Sequence, residues 1–188
     1  MPHEQGEGHR SPKVPQAEMH NRIVKSLGIR HLESHGPFEE KPFEMDLKPP
    51  LPLQVRVYMF NATRPPGGRP LGEHKVQLIV PGQQRKDKGN FDQSGGRIVL
   101  LVGYVAEEDV YVFWDAGLYS DFAWSRNVQV KVETIISAAA GNIATQERQL
   151  RPKNSTPVTE VLVAVRSDRI ADGIQQRMEL TKSRMLAE

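Results

Sequence analysis

Apolar and polar residues alternate along the middle of the chain with the two-residue period of a β-strand. The stretch LQVRVYMF carries Leu53, Val55, Val57 and Met59 on one side and Gln54, Arg56, Tyr58 and Phe60 on the other. Four further short apolar runs follow, each bounded by Gly, Pro or charged residues: HKVQLIV, RIVLLVGYV, DVYVFW and NVQVKVE. This pattern predicts five consecutive strands.

The segments that flank these strands show helical spacing instead. Residues 18–35 predict a short helix, because apolar residues recur about one turn apart at Met19, Ile23 and Leu27. The alanine-rich stretch TIISAAAGNIATQERQLR predicts a second helix, with Thr134 as its N-cap. A third helix is predicted in SDRIADGIQQRMELTKSRML near the C-terminus.

A continuous apolar run, EVLVAVR, lies between the second and third predicted helices and is typical of a strand buried on both faces. The strand–helix–strand unit over residues 127–166 therefore predicts two parallel strands joined by a right-handed crossover. The predicted fold class is α+β with an α/β-type core. It comprises a mixed sheet of about six strands, an N-terminal helix, one strand–helix–strand unit and a C-terminal helix.

The domain organisation follows from the same pass along the chain. Residues 1–17 are polar and rich in Gly and Pro, which predicts a disordered tail. Residues 18–50 are predicted to form the N-terminal helix and a proline-rich connector. Residues 51–188 are predicted to form a single sheet-centred domain, a length sufficient for one hydrophobic core.

Composition excludes some classes of protein. The 188 residues include no cysteine, which excludes disulfides and thiolate metal sites and fits a reducing compartment. No stretch reaches the roughly 18 apolar residues of a membrane span. The first residues lack the apolar core of a secretory signal. The sequence predicts a cytoplasmic protein that does not contact a membrane.

Charge is unevenly distributed, although the formal net charge is only +2. Residues 48–97 are strongly basic, and residues 98–150 are acidic. Arginine and lysine on loops can contact DNA phosphates or read guanine in the major groove. The predicted nucleic-acid-binding residues are Arg64, Arg69, Lys75, Arg85, Lys86, Lys88 and Arg126. Ordinary hairpin connections with a solvated surface remain the alternative.

Aromatic residues accompany these basic loops at Tyr104, Trp114, Tyr119, Phe122 and Trp124. Aromatic side chains can stack on an exposed base. They also pack in protein cores, and packing is the favoured interpretation here.

Three polar residues in apolar surroundings are candidates for catalysis. Asp115 ends one predicted strand, and Gln129 and Lys131 share a face of the next. A carboxylate is a hard oxygen ligand for Mg²⁺, and a lysine can stabilise charge that develops during phosphodiester cleavage. The alternative is that Asp115 caps a turn and Lys131 faces solvent.

This order of residues and elements, over roughly residues 108–175, resembles the PD-(D/E)XK nuclease core in its Mrr-type Gln-x-Lys version. The resemblance implies catalysis by Asp115, Gln129 and Lys131 with Mg²⁺ on Asp115. The chain departs from that pattern because Gln129 replaces a second carboxylate and no proline precedes Asp115. Separately, the stretch from LQVRVYMFNATRPPGGRPLGEHKVQL to ATQERQLR resembles domains of bacterial restriction–modification proteins.

Together these features predict a DNA-recognition protein of bacterial restriction or defence type, acting on double-stranded DNA. The nuclease resemblance adds the hypothesis of a Mg²⁺-dependent endodeoxyribonuclease. Two alternatives stay open: a non-catalytic DNA-binding module that serves a separate nuclease or methyltransferase, and a protein-interaction domain. The sequence leaves the oligomeric state open, a homodimer included.

Overall fold

The computed structural model describes residues 12–52, 54–64, 72–152 and 155–188. The helices are α1 (Gln16–His31), α2 (Val132–Ala139) and α3 (Ile170–Leu186). The strands are β1 (Leu32–His35), β2 (Phe43–Leu47), β3 (Gln54–Asn61), β4 (Glu73–Gln77), β5 (Ile98–Val105), β6 (Val110–Trp114), β7 (Asn127–Lys131), β8 (Ala144–Leu150) and β9 (Val158–Arg166). None of the helices in the described ranges is long and apolar enough to cross a membrane.

Seven of the strands form one mixed sheet in the order β1-β2-β3-β5-β6-β9-β8. Strands β3 and β5 are parallel, and the other neighbouring pairs in this sheet are antiparallel. Strands β4 and β7 pair with each other as a separate antiparallel β4–β7 ribbon. The predicted α+β fold class, with a mixed sheet and helices near both ends of the chain, is confirmed.

The seven-stranded sheet is covered on both faces, which explains why its central strands are apolar throughout. On one face, α1 and α3 pack against apolar residues that include Val57, Val102, Phe113 and Val165. On the other face, the β4–β7 ribbon and α2 pack against a second set that includes Leu101, Val112, Trp114 and Leu162. Two hydrophobic cores therefore lie on opposite sides of the same sheet.

The predicted helix over residues 134–151 is wrong in its second half. Helix α2 ends at Ala139, and Gly141 follows with a φ of +98°, a left-handed conformation that favours glycine after a helix. The chain then extends into β8, which pairs with β9 from Ala144 to Leu150. The high helix propensity of alanine favours α2, but the helix does not continue past Gly141.

The predicted parallel pair within residues 127–166 is also wrong. Strand β9 is flanked by β6 and β8, and it is antiparallel to both. Because β8 and β9 follow each other along the chain, they form a local hairpin, and no crossover is needed. Strand β7 is not part of the seven-stranded sheet and pairs with β4 instead.

The predicted proline-rich connector contributes to the sheet. Strands β1 and β2 come from residues 32–47, and Phe43 and Met45 of β2 are fully buried under α1. Most of the predicted disordered tail, residues 1–11, lies outside the described residues. In the remainder, Val14 is buried, and its backbone N–H donates to the Asn61 side chain at 2.9 Å.

Candidate functional site

Asp115 lies just beyond the end of β6, and its side chain is engaged by α3. Arg184 donates through Nε to Oδ2 at 2.6 Å and through Nη2 to Oδ1 at 3.2 Å, which is a bidentate ion pair. A second guanidinium, that of Arg177, lies 3.7 Å from Oδ2. Because Asp115 is only 2% exposed, the geometry describes a buried ion-pair cluster that joins β6 to α3.

The structure does not bring Lys131 to this carboxylate. Lys131 ends β7 in the ribbon that covers the opposite face of the sheet from α3, and its side chain is exposed. Gln129 lies two residues earlier on the same half-exposed face of β7. The catalytic role of Asp115, Gln129 and Lys131 stays a prediction, and this geometry gives it no support.

The Asp115 carboxylate in this arrangement does not fit a Mg²⁺ ligand. Both of its oxygens already accept hydrogen bonds from Arg184. Mg²⁺ needs free oxygen ligands in an octahedral arrangement, and the positive charge of the guanidinium would repel the ion. Across the described part of the chain, no group of three or more His, Asp or Glu side chains is placed to hold a metal ion. Mg²⁺ binding therefore remains a prediction without a ligand set.

Glu160 was missed by the sequence analysis. This residue begins the buried part of β9 and is 0% exposed. The Tyr119 hydroxyl donates to its Oε1 at 2.5 Å, and the Asp115 backbone N–H donates to its Oε2 at 3.1 Å. Burial raises the pKa of the Glu160 carboxyl. The available signal was its position in EVLVAVR, two residues before the inward-facing Leu162.

We expect Glu160 to make stability fall as pH rises. Its pKa is raised above the ordinary value of 4.5 in the folded protein, so the folded state binds its proton more tightly than the unfolded state. Its stabilising contribution is complete below pH 4.5 and is lost as pH rises through the raised folded pKa. The free energy of unfolding, measured with urea from pH 4.5 upward, should therefore fall more steeply with rising pH in the wild type than in Glu160→Gln. Identical slopes would contradict the assignment.

The β4–β7 ribbon has an apolar inner face and a polar outer face. Its inner residues His74, Val76, Val128 and Val130 are buried against the sheet. The register places three outward-facing pairs opposite each other: Glu73 with Lys131, Lys75 with Gln129, and Gln77 with Asn127. Gln77, Asn127 and Lys131 are exposed, and the other three are half-buried. The outer face thus presents two lysines, three amides and one carboxylate.

Several hydrogen bonds fix this ribbon to the rest of the protein. The Gln129 carbonyl accepts from Trp114 Nε1 at 3.2 Å and from Arg148 Nη1 at 3.0 Å. On the other edge, Lys75 and Thr63 exchange two backbone hydrogen bonds. The ribbon is therefore attached to its surroundings at both of its strands.

The other predicted binding residues that the structure describes lie toward the two ends of this ribbon. Exposed Arg64 follows Thr63, the residue that pairs with Lys75. Arg126 immediately precedes β7 and lies over the Tyr119 ring at 5.4 Å. Loop residues Arg85, Lys86 and Lys88 are exposed, and the loop is joined to Phe122 through Gly89. Arg69 lies outside the described residues.

No curated protein and no solved structure matches the chain. The family described as methylase-associated X1 matches residues 53–174, which is more than half of the chain and spans β3 to the start of α3. Its description supports the predicted restriction–modification association, whereas a PD-(D/E)XK core is not confirmed. The chain belongs to the methylase-associated X1 family.

Proposed function

We propose that this chain is the DNA-recognition component of a restriction–modification system and that the outer face of the β4–β7 ribbon contacts duplex DNA. The observation that carries the proposal is the side-chain set of that face, which places Lys75, Lys131, Asn127 and Gln129 on one two-stranded element with Glu73 as its single carboxylate. Lysine pairs with guanine, and asparagine and glutamine pair with adenine, on the major-groove edges of the bases.

The dimensions of the ribbon suit this role. The major groove of B-DNA is about 12 Å wide and admits a two-stranded β-ribbon. Each strand of the ribbon has five residues, which span about 17 Å at the rise of an antiparallel strand. A length of this order presents side chains to several successive base pairs.

The electrostatic surroundings also favour DNA. Exposed Arg126 and the loop with Arg85, Lys86 and Lys88 lie at the end of the ribbon where Gln77 pairs with Asn127. Arg64 lies toward the other end. Basic side chains at both ends of a groove-reading element can contact the flanking phosphates, which fixes the register of the element on the duplex.

The family description adds the biological setting. A methylase-associated protein that recognises DNA would direct a separate enzyme to its site. The proposal assigns no catalysis to this chain. The Asp115 carboxylate, the candidate metal ligand, is already paired with Arg184. Incubation of plasmid DNA with the protein and Mg²⁺ tests cleavage directly, and Mg²⁺-dependent cleavage by the wild-type protein would restore the nuclease hypothesis.

The test of recognition is a pair of double variants with equal charge loss. Lys75→Ala with Lys131→Ala removes both ribbon lysines, and Lys25→Ala with Lys182→Ala removes two exposed lysines from α1 and α3 on the opposite face. We expect the ribbon variant to bind duplex DNA at least about tenfold more weakly in fluorescence anisotropy. Its log–log salt slope should become shallower by about one unit for each lysine that contacts phosphate.

The helix-face control should retain wild-type affinity and slope. Equal losses in the two double variants would show that net charge alone drives binding, and a salt-independent interaction would exclude phosphate contacts. Thermal unfolding of both variants confirms that the comparison is made between folded proteins.

A further inference from the structure

A groove of about 580 Å³ opens beside the second half of β3. Pairing with β2 ends at Val57, so the edge of β3 beyond that residue has no strand beside it in the described structure. The start of α1 closes one end of this gap, where Gln16 Nε2 donates to the Met59 carbonyl at 2.9 Å. The other wall is formed by residues 79–83, which follow β4.

The lining of this groove is apolar on one part and rich in amides on another. Phe60, Ile79 and Val80 provide the apolar part. Gln16 and Gln77 donate their amide nitrogens elsewhere, to the Met59 and Trp124 carbonyls respectively. Each of these side chains also carries a carbonyl oxygen, which can accept a hydrogen bond from a ligand.

The groove is continuous with the ribbon surface. Gln77 ends β4, lies on the outer face of the ribbon and also lines the groove. The basic loop with Arg85, Lys86 and Lys88 begins directly after Gln83, another lining residue. A nucleic-acid strand on the ribbon would therefore meet cationic side chains beside the groove. The groove lining itself includes one acidic and one basic residue, Glu39 and Lys41.

We propose that this groove takes a single base rotated out of the duplex, and that it favours bases with an exocyclic amino group. The flat face of a base would pack on the apolar wall that includes Phe60. The amino group would donate to the side-chain carbonyl oxygens of Gln16 and Gln77. Thymine has no exocyclic amino group and could not donate these hydrogen bonds. This inference rests on the proposed function of the ribbon, and it assigns a second DNA contact to the same protein.

The test uses Ile79→Trp, which fills the groove from a half-buried position, and Ile29→Trp, the same substitution at a residue 90% exposed on α1. Duplexes carry 2-aminopurine at successive positions, and its fluorescence rises when the base leaves the stack. Duplexes with a mispaired base are compared with matched ones, because a mispaired base costs less to rotate out.

We expect the wild type and Ile29→Trp to raise 2-aminopurine fluorescence at one position and to bind the mispaired duplex about tenfold more tightly. Ile79→Trp should lose both effects and keep salt-dependent binding of the matched duplex. Unchanged fluorescence at every position, with duplex binding intact, would overturn the groove assignment and leave the ribbon proposal standing.

Single-stranded oligonucleotides separate the two proposals further. A short oligo-dA should bind the wild type more tightly than oligo-dT, and Ile79→Trp should abolish this preference. If duplex binding fails but this preference is present, the ribbon proposal is wrong, and the groove takes a base from a single strand instead of a base rotated out of a duplex. Equal binding of oligo-dA and oligo-dT would contradict the preference for amino-bearing bases.

Discussion

Asp115→Asn should lower the free energy of unfolding by about 3 kcal/mol, the lower end of the range for breaking a buried ion pair. The substitution removes the charge that compensates two guanidinium groups, those of Arg184 and Arg177. Arg177 has a side chain only 4% exposed, and burial lowers its pKa. Its charge would remain in the interior without its carboxylate partner, and this desolvation cost is the main source of the loss.

Urea unfolding of the purified variant measures this effect, and Asp168→Asn is the matched control. Asp168 pairs with Arg166, but their side chains are 56% and 41% exposed, so its loss should cost less than about 1 kcal/mol. Equal small losses at both positions would show that the buried pair contributes no more than a surface pair. Unchanged stability of Asp115→Asn together with loss of Mg²⁺-dependent cleavage would favour the nuclease hypothesis instead.

Trp114→Ala should cost about 3–5 kcal/mol, as expected for truncation of a large buried aromatic residue. Trp114 is 1% exposed and packs against Gly103, where an added Cβ would lie 2.8 Å from the indole ring. Such close packing leaves little freedom for the surroundings to collapse into the cavity. The variant also loses the hydrogen bond from Nε1 to the Gln129 carbonyl, so it should loosen the ribbon as well.

The same measurement on Trp124→Ala supplies the control. Trp124 is half-buried, and its backbone carbonyl, which accepts from Gln77, is retained after truncation. We expect a loss of about 1 kcal/mol for this variant. Losses of the same size at both tryptophans would mean that the Trp114 site repacks and that the contact with Gly103 is not rigid.

The strands of the central sheet were predictable because short runs of apolar residues, bounded by turn residues, record their burial. Residues 54–60 lie in β3, where Val55, Val57 and Met59 pack under α1, as the period of two in this stretch predicts. The second half of the predicted alanine-rich helix was not predictable in the same way. Residues 144–150 are an edge strand whose exposed positions are polar, so its pattern carries little apolar signal to oppose helix propensity.

The pairing of strands was beyond local reasoning. The strand predicted in NVQVKVE is confirmed for Asn127–Lys131, whereas its last two residues begin α2. Nothing within the stretch specifies β4 as its partner rather than β9. Burial of Val128 and Val130 is satisfied by either arrangement, and the choice depends on packing between distant segments.

The candidate site was also predictable only in part, because its residues are distant in sequence. Lys75, Gln129 and Lys131 were assigned to a basic loop and a catalytic motif, and only the strand pairing places them on one surface. Gln77 and Asn127 on the same surface were not predicted. The partners of Asp115 come from α3, far along the chain, so the sequence analysis assigned Asp115 to a metal. Glu160 was missed for a related reason, since its partners Tyr119 and Asp115 lie on other elements.

The long separation in sequence between β4 and β7 has a consequence for folding. The hairpins β5–β6 and β8–β9 join neighbouring segments, whereas pairing of Glu73 with Lys131 must enclose both β5 and β6 in one loop. Closing a longer loop costs more conformational entropy, so local hairpins are expected to form first and the ribbon later. In pulsed hydrogen exchange during refolding, the ribbon amides should gain protection after those of β8 and β9. The surface proposed to contact DNA would then form at the end of folding.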